Sequence, residues 1–259
     1  MVDAFDGVLL DIDGVLTLSW KAVPGAMPAV EWLRAEGIRF RLITNTTTHT
    51  RIDLARTLCD AGILVEPHEI VTAVVATASY LRAHHPGAHV FLLSDGAGAE
   101  DLEGVRLVDD APDVVVLGGA CDGFTYGAMN RVFRMLMEGA TLIGMHRNLY
   151  WRTDEGLQLD SGAYIAGLEE ATGRKAVTCG KPSGVYFAEA LRLLGTAARR
   201  TVMVGDDIVN DVLGAQAVGI TGVLVKTGKF LPDDLEKGEP DHLVGSIADV
   251  PGLIRPPAV

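Results

Sequence analysis

Asp11 and Asp13 stand two residues apart in VLLDIDGVLT (8–17), where an apolar run meets a glycine. On a continuing strand the two carboxylates would face one side and repel by about 4 kcal/mol at about 4 Å and an effective dielectric near 20. A chain keeps such a pair either in a solvated turn or beside something positive. Three other stretches carry chemistry-bearing side chains: Thr44 and Asn45 in LITNTT, Lys181 in CGKPS, and Asp206, Asp207 and Asp211 in GDDIVND. Each alone is ordinary turn chemistry. Brought together, the carboxylates need a cation. Oxygen donors with no histidine or cysteine nearby select a hard ion, for which Mg²⁺ is the natural choice, and Lys181 adds an ammonium.

The elements around these residues explain how they would meet. Short β-branched runs alternate with helical patterns, which predicts α/β units on a mostly parallel sheet. GVLL (7–10), IRFRLIT (38–44), TVMVG (201–205) and ITGVLV (220–225) read as strands, and 28–37, 51–62, 183–195 and 211–219 as helices. Ligands of open parallel sheets sit outside the carboxyl ends of the strands. Asp11, Thr44 and Asp206 each follow a strand, so all fall on that edge. The tail from Leu231 is expected to add one edge strand and a short helix. Residues 74–173 have an α/β rhythm of their own, with strands at 89–93, 113–118 and 141–145 and helices at 74–85, 126–139 and 162–173. A segment of that length suggests a second domain inserted into the first.

The motifs DIDGVLT, LITNTT, CGKPS and GDDIVND, in that order, resemble those of the haloacid dehalogenase-like hydrolases. The chain is similar to the phosphatase branch, subclass IIA. LIGMHRNLYW and VLVKTGK are similar to the hydrolase-domain proteins grouped with phospholysine, phosphohistidine and inorganic pyrophosphate phosphatases. The resemblance implies a Rossmann-like parallel-sheet core (1–72 and 179–259) with an inserted α/β cap domain (73–178) that closes over the site. It also implies roles. Asp11 would be the nucleophile, forming an aspartyl-phosphate, and Asp13 the acid that serves the leaving group and then the base that activates water. Asp11, the carbonyl of Asp13, and Asp206 would hold Mg²⁺. Thr44 and Asn45 would bind phosphate oxygens, helped by amides at the next helix start. Lys181 would neutralise both the nucleophile and the transferring group. Asp207 and Asp211 would stand behind these, Asp211 orienting a metal-bound water or Lys181 unless it is an exposed helix-start acid.

Composition narrows the partners. A net charge of −12 over 259 residues opposes a nucleic-acid surface or an anionic membrane, both of which need clustered Lys and Arg. The N-terminal MVDAFDG is acidic where a signal peptide is basic, and no apolar run reaches membrane-spanning length. Cys59, Cys121 and Cys179 lie far apart without CxxC spacing, which suits reduced, small, buried residues. These features predict a soluble cytoplasmic protein, and the resemblance implies a small phosphorylated substrate. A homodimer is plausible on the resemblance, and nothing in the composition bears on it.

His85 and His89 enclose a Pro-Gly break and cannot form a helical metal pair. His146, Arg147 and Tyr150, in the loop MHRNLYW, read as substrate contacts or as ordinary rim residues. Two other activities compete with phosphatase chemistry: a phosphoamidase or inorganic pyrophosphatase on the same site, and a phospho-ligand binder without catalysis. The binder should have lost Asp11, Asp13 or Lys181, and all three are present.

Overall fold

The computed structural model describes residues 5–153 and 156–255. The acidic start of the chain at residues 1–4 and its last four residues, both within the expected core segments, lie outside the described residues. The chain divides into two compact units. One comprises the chain up to Thr44, Arg51–Val71, and Lys181 onward; the other comprises Asn45–Thr50 and Thr72–Gly180.

The first unit is built on a six-stranded sheet. Its order is His242–Val244, Thr221–Val225, Thr201–Gly205, Gly7–Asp11, Arg39–Thr44 and Ile70–Thr72. The pairings from His242–Val244 across to Arg39–Thr44 are all parallel. Gly7–Asp11 and Thr201–Gly205 are buried at every residue, as the central strands of a sheet covered on both faces must be. Leu10 lies level with both Leu42 and Val204, so the three neighbouring strands end together.

Helices cover this sheet. Ala26–Ala35 buries Ala26, Ala29, Val30 and Leu33, one face at helical spacing. Gly184–Leu194 starts where the Ser183 hydroxyl accepts from the Val185 amide. It stops at Gly195, whose φ of 75° is the left-handed conformation that ends a helix without strain in glycine. The sequence helix at 211–219 is corrected. The helical segment starts upstream, as a π-turn at Ile208–Leu213 followed by Gly214–Gln216. The Asp207 carboxylate causes the shift by accepting from the amides of Val209 (3.0 Å) and Asn210 (2.9 Å).

The second unit carries a five-stranded parallel sheet, ordered Val177–Thr178, Thr141–Gly144, Val114–Leu117, His89–Leu93 and Arg106–Leu107. Ala73–His84, Tyr126–Met137 and Ser161–Thr172 are its main helices. Phe91, Val115, Leu136, Leu142 and Ile165 belong to one apolar cluster within it. The hairpin of Tyr150–Thr153 with Gly156–Leu159 was not expected from the sequence, nor was the short one of Thr17–Leu18 with Lys21–Ala22. Their strands are too short to show a period. Cys179 is buried, but Cys121 is exposed, contrary to expectation, because it opens a surface turn at φ 38°.

Candidate active site

Asp11 is the last residue of its strand, and its side chain turns into a buried cluster rather than into solvent (6 % exposed). Lys181 comes to it from the segment before the Gly184–Leu194 helix, with Nζ 2.7 Å from Asp11 Oδ1. The same ammonium donates to Asp211 Oδ1 at 2.6 Å. Asp206 follows the adjacent strand, and one carboxylate oxygen each of Asp11, Asp206 and Asp211 lies within 4.8 Å of the others. Asp206 and Asp211 are 1 % and 0 % exposed, which rules out the exposed helix-start acid.

Local sequence makes this approach possible. A Cβ on Gly205 would lie 2.2 Å from the Asp211 Cβ, so only glycine lets the π-turn fold Asp211 back towards its own strand. Asp211 Oδ2 also accepts from the Asp207 amide at 3.2 Å. Asp207 directs its own carboxylate to the helical start, where Asn210 Nδ2 also donates to it at 2.7 Å. Asp13 is exposed in the turn that follows the strand, where the Gly14 amide donates to the Thr17 carbonyl at 2.7 Å. Gly14 has φ 93°, and a Cβ there would lie 2.0 Å from Asp206 Oδ2.

Burial governs the charge states. It pushes the Asp11 carboxyl up, against the pull of Lys181. It pushes Asp206 up to about 6, opposed by the backbone amide and ammonium of Lys229. Asp211 is likewise pushed up to about 6 by burial and then by Asp11, with Lys181 opposing. Burial disfavours the Lys181 ammonium, yet Asp11 and Asp211 together hold its pKa above the ordinary lysine range. The cluster therefore holds three carboxylates against one fully buried ammonium.

Residues Asp11, Asp206 and Asp211 fit a divalent ion. All their donors are carboxylate oxygens, the set a hard cation prefers. Asp206 Oδ2 accepts from the Lys229 amide at 2.7 Å, but its buried Oδ1 has no hydrogen-bond partner. A buried carboxylate oxygen left so is costly unless something else binds it.

Thr44 ends the strand beside Asp11 and is half-buried. Its amide donates to the Tyr186 hydroxyl at 3.0 Å, and that hydroxyl lies 2.9 Å from the Val71 carbonyl. Tyr186 was not singled out from the sequence; the signal was a lone phenol on an apolar helix face. Asn45 is half-buried in the second unit, where a Cβ on Gly180 would meet its Oδ1 at 2.8 Å. Thr227 and Lys229 were also missed. They follow the Thr221–Val225 strand, so the rule that pointed to the other strand ends applied to them too.

The loop residues of the second unit have separate surroundings. His146 is buried, with Nδ1 3.3 Å from Ser161 Oγ and Nε2 3.7 Å from Asp160 Oδ1. Arg147 pairs through both terminal nitrogens with buried Glu169. Tyr150 is exposed on the hairpin.

A family profile described as haloacid dehalogenase-like hydrolase matches residues 8–107, and one described as HAD-hydrolase-like matches 178–250. The human haloacid dehalogenase-like hydrolase domain-containing protein 2 is 39% identical over 237 residues, 92% of this chain and 90% of that protein. The phospholysine phosphohistidine inorganic pyrophosphate phosphatase of Rattus norvegicus is 36% identical over 256 residues, 96% of this chain and 93% of that one. Among solved structures, p-nitrophenyl phosphatase from Archaeoglobus fulgidus superimposes with a TM-score of 0.88 at 30% identity, covering 96% of this chain and 99% of its own. NagD from E. coli K-12 gives 0.86 at 30%, covering 95% and 98%.

Proposed function

The chain belongs to the haloacid dehalogenase-like hydrolase family and is a phosphohydrolase of its subclass IIA; from this premise we propose a Mg²⁺-dependent phosphatase that cleaves a small phosphorylated metabolite through an aspartyl-phosphate on Asp11. The observation that carries the reading is the buried ammonium of Lys181 bridging Asp11 and Asp211, with the Asp206 carboxylate beside them and its buried Oδ1 without a hydrogen-bond partner.

Asp11 attacks phosphorus, and the bond to the leaving oxygen breaks as Asp13 gives that oxygen a proton. Asp13 then takes a proton from water, which attacks the same phosphorus and frees Asp11. One hard hydrolysis becomes two easier displacements. Asp13 suits the proton work because it is exposed, whereas Asp11 is fixed by Lys181 and suits attack along one direction. Lys181 offsets charge on the nucleophile and on the transferring group, and Asp211 aims it. Thr44 and Asn45 would bind phosphate oxygens. Asp11, the Asp13 carbonyl and Asp206 would hold Mg²⁺. Bound there, the ion would offset the repulsion between the carboxylates and the anionic substrate.

A chromogenic phosphate ester assayed with Mg²⁺ and then with chelator tests the proposal. Turnover is expected only with the divalent ion. Absence of turnover with every divalent ion tried would favour a phospho-ligand binder. The similarity to a phospholysine phosphohistidine inorganic pyrophosphate phosphatase favours a second reading, cleavage of P–N or P–O–P bonds at the same site. Comparing kcat/KM on a phosphate ester, a phosphoramidate and pyrophosphate separates the two.

A further inference from the structure

The segment Thr227-Gly228-Lys229 follows a strand of the central sheet and touches both Asp206 and the turn that carries Asp13. Its Lys229 amide donates to Asp206 Oδ2 at 2.7 Å. Its Thr227 hydroxyl donates to the carbonyl of Gly14, the residue after Asp13. Between them Gly228 has φ 66°, and a Cβ there would lie 2.1 Å from Asp206 Oδ2 and 2.5 Å from the Gly14 Cα. Two glycines distant in sequence thus pack around one carboxylate oxygen, at a distance no other residue allows.

We propose that Thr227-Gly228-Lys229 is a positioning loop for the cation site. It occupies one oxygen of Asp206 and anchors the turn carrying Asp13, so that the other Asp206 oxygen is presented to a divalent ion. The inference rests on the reading of Asp206 as a ligand. The division of labour on that carboxylate supports it: Oδ2 is held by the loop, and buried Oδ1 is without a partner. Outer contacts of this kind set the orientation of a metal ligand and hence its affinity. Thr227 acts through the Gly14 carbonyl and Gly228 through its lack of a side chain. The Lys229 contribution is its backbone amide.

The test is Mn²⁺ binding to the whole, metal-stripped chain by titration calorimetry, which needs no turnover. Thr227→Val removes the hydrogen bond at nearly constant shape. It is expected to weaken Mn²⁺ about 5- to 30-fold, the equivalent of about 1–2 kcal/mol for one positioning contact. Thr227→Ser should return affinity to within about threefold, since it restores the donor. Asp206→Asn should abolish the binding heat. If Asp206→Asn binds like the parent, the ligand reading fails and the loop proposal with it. If Asp206→Asn loses binding but Thr227→Val keeps parental affinity, the loop proposal alone is overturned. Should Thr227→Val not fold, Gly228→Ala, which keeps both hydrogen-bonding groups and displaces the loop, carries the same expectation and the same contradiction.

Discussion

Lys181 bridges two buried carboxylates with one charge, and that double duty gives the residue-scale predictions. Removing one partner of a buried ion pair leaves an uncompensated charge and costs about 3–5 kcal/mol. Lys181→Met should therefore lower the stability of the chelated protein by about that amount, read from urea denaturation at pH 7.5, and abolish turnover. Asp11→Asn should behave oppositely in stability. Burial pushes the Asp11 carboxyl up, which means its charge is unfavourable in the fold, and Asp211 remains to hold Lys181. The variant is expected to melt at or above the parent in chelator while losing at least about a thousandfold in kcat, as for other residues that act as nucleophiles. Parental activity in Asp11→Asn would refute its role. The identities of Asp11, Lys181 and Asp206 were legible in the sequence because Asp11 and Asp206 stand at strand ends and Lys181 just before a helix. The clasp of Lys181 by Asp211 was one of three readings the sequence left open, and the π-turn that folds Asp211 back towards its strand selects it.

At the scale of elements, that π-turn and the strand before it are fitted to each other at Gly205. Gly205→Ala must displace Asp211 or the strand. Overpacking of this kind costs about 1–3 kcal/mol, measurable by denaturation, and should lower turnover because Lys181 loses its second acceptor. The loop after Thr141–Gly144 in the second unit should report through pH. Burial lowers the His146 pKa, with Asp160 opposing. Below the unfolded value of about 6.5 the unfolded chain takes up a proton that the buried ring resists, so stability falls as pH drops. The slope is at most about 1.4 kcal/mol per pH unit. Denaturation at pH 7 and pH 5 should show a smaller loss in His146→Asn than in the parent. Long periodic elements were readable to within a residue or two, as in Ala73–His84 and Thr201–Gly205. The two-residue hairpin strands and the upstream start at Ile208 were not, because a carboxylate at Asp207 and cross-strand pairing decide them.

For the whole molecule, the parallel order of the central strands gathers residues nearly two hundred positions apart at one sheet edge. That gathering is why composition alone misleads: a chain of net charge −12 concentrates part of its acid where it would receive a phosphate anion. No helix among the described residues is long and apolar enough to cross a membrane. A divalent ion that binds only the folded site should raise stability by about 2.7 kcal/mol at a hundred times its Kd. The thermal midpoint should therefore climb with Mg²⁺ in the parent and stay flat in Asp206→Asn. The most direct test follows the phosphorus itself. Acid-quenching the Asp13→Asn enzyme during exposure to a nitrophenyl phosphate with Mg²⁺, whose leaving phenolate departs without the proton Asp13 would give, then digesting it, should yield one peptide heavier by a phosphoryl group, with the modification on Asp11. Ester hydrolysis by the parent with the phosphoryl group trapped on another residue, or on none, would contradict the account.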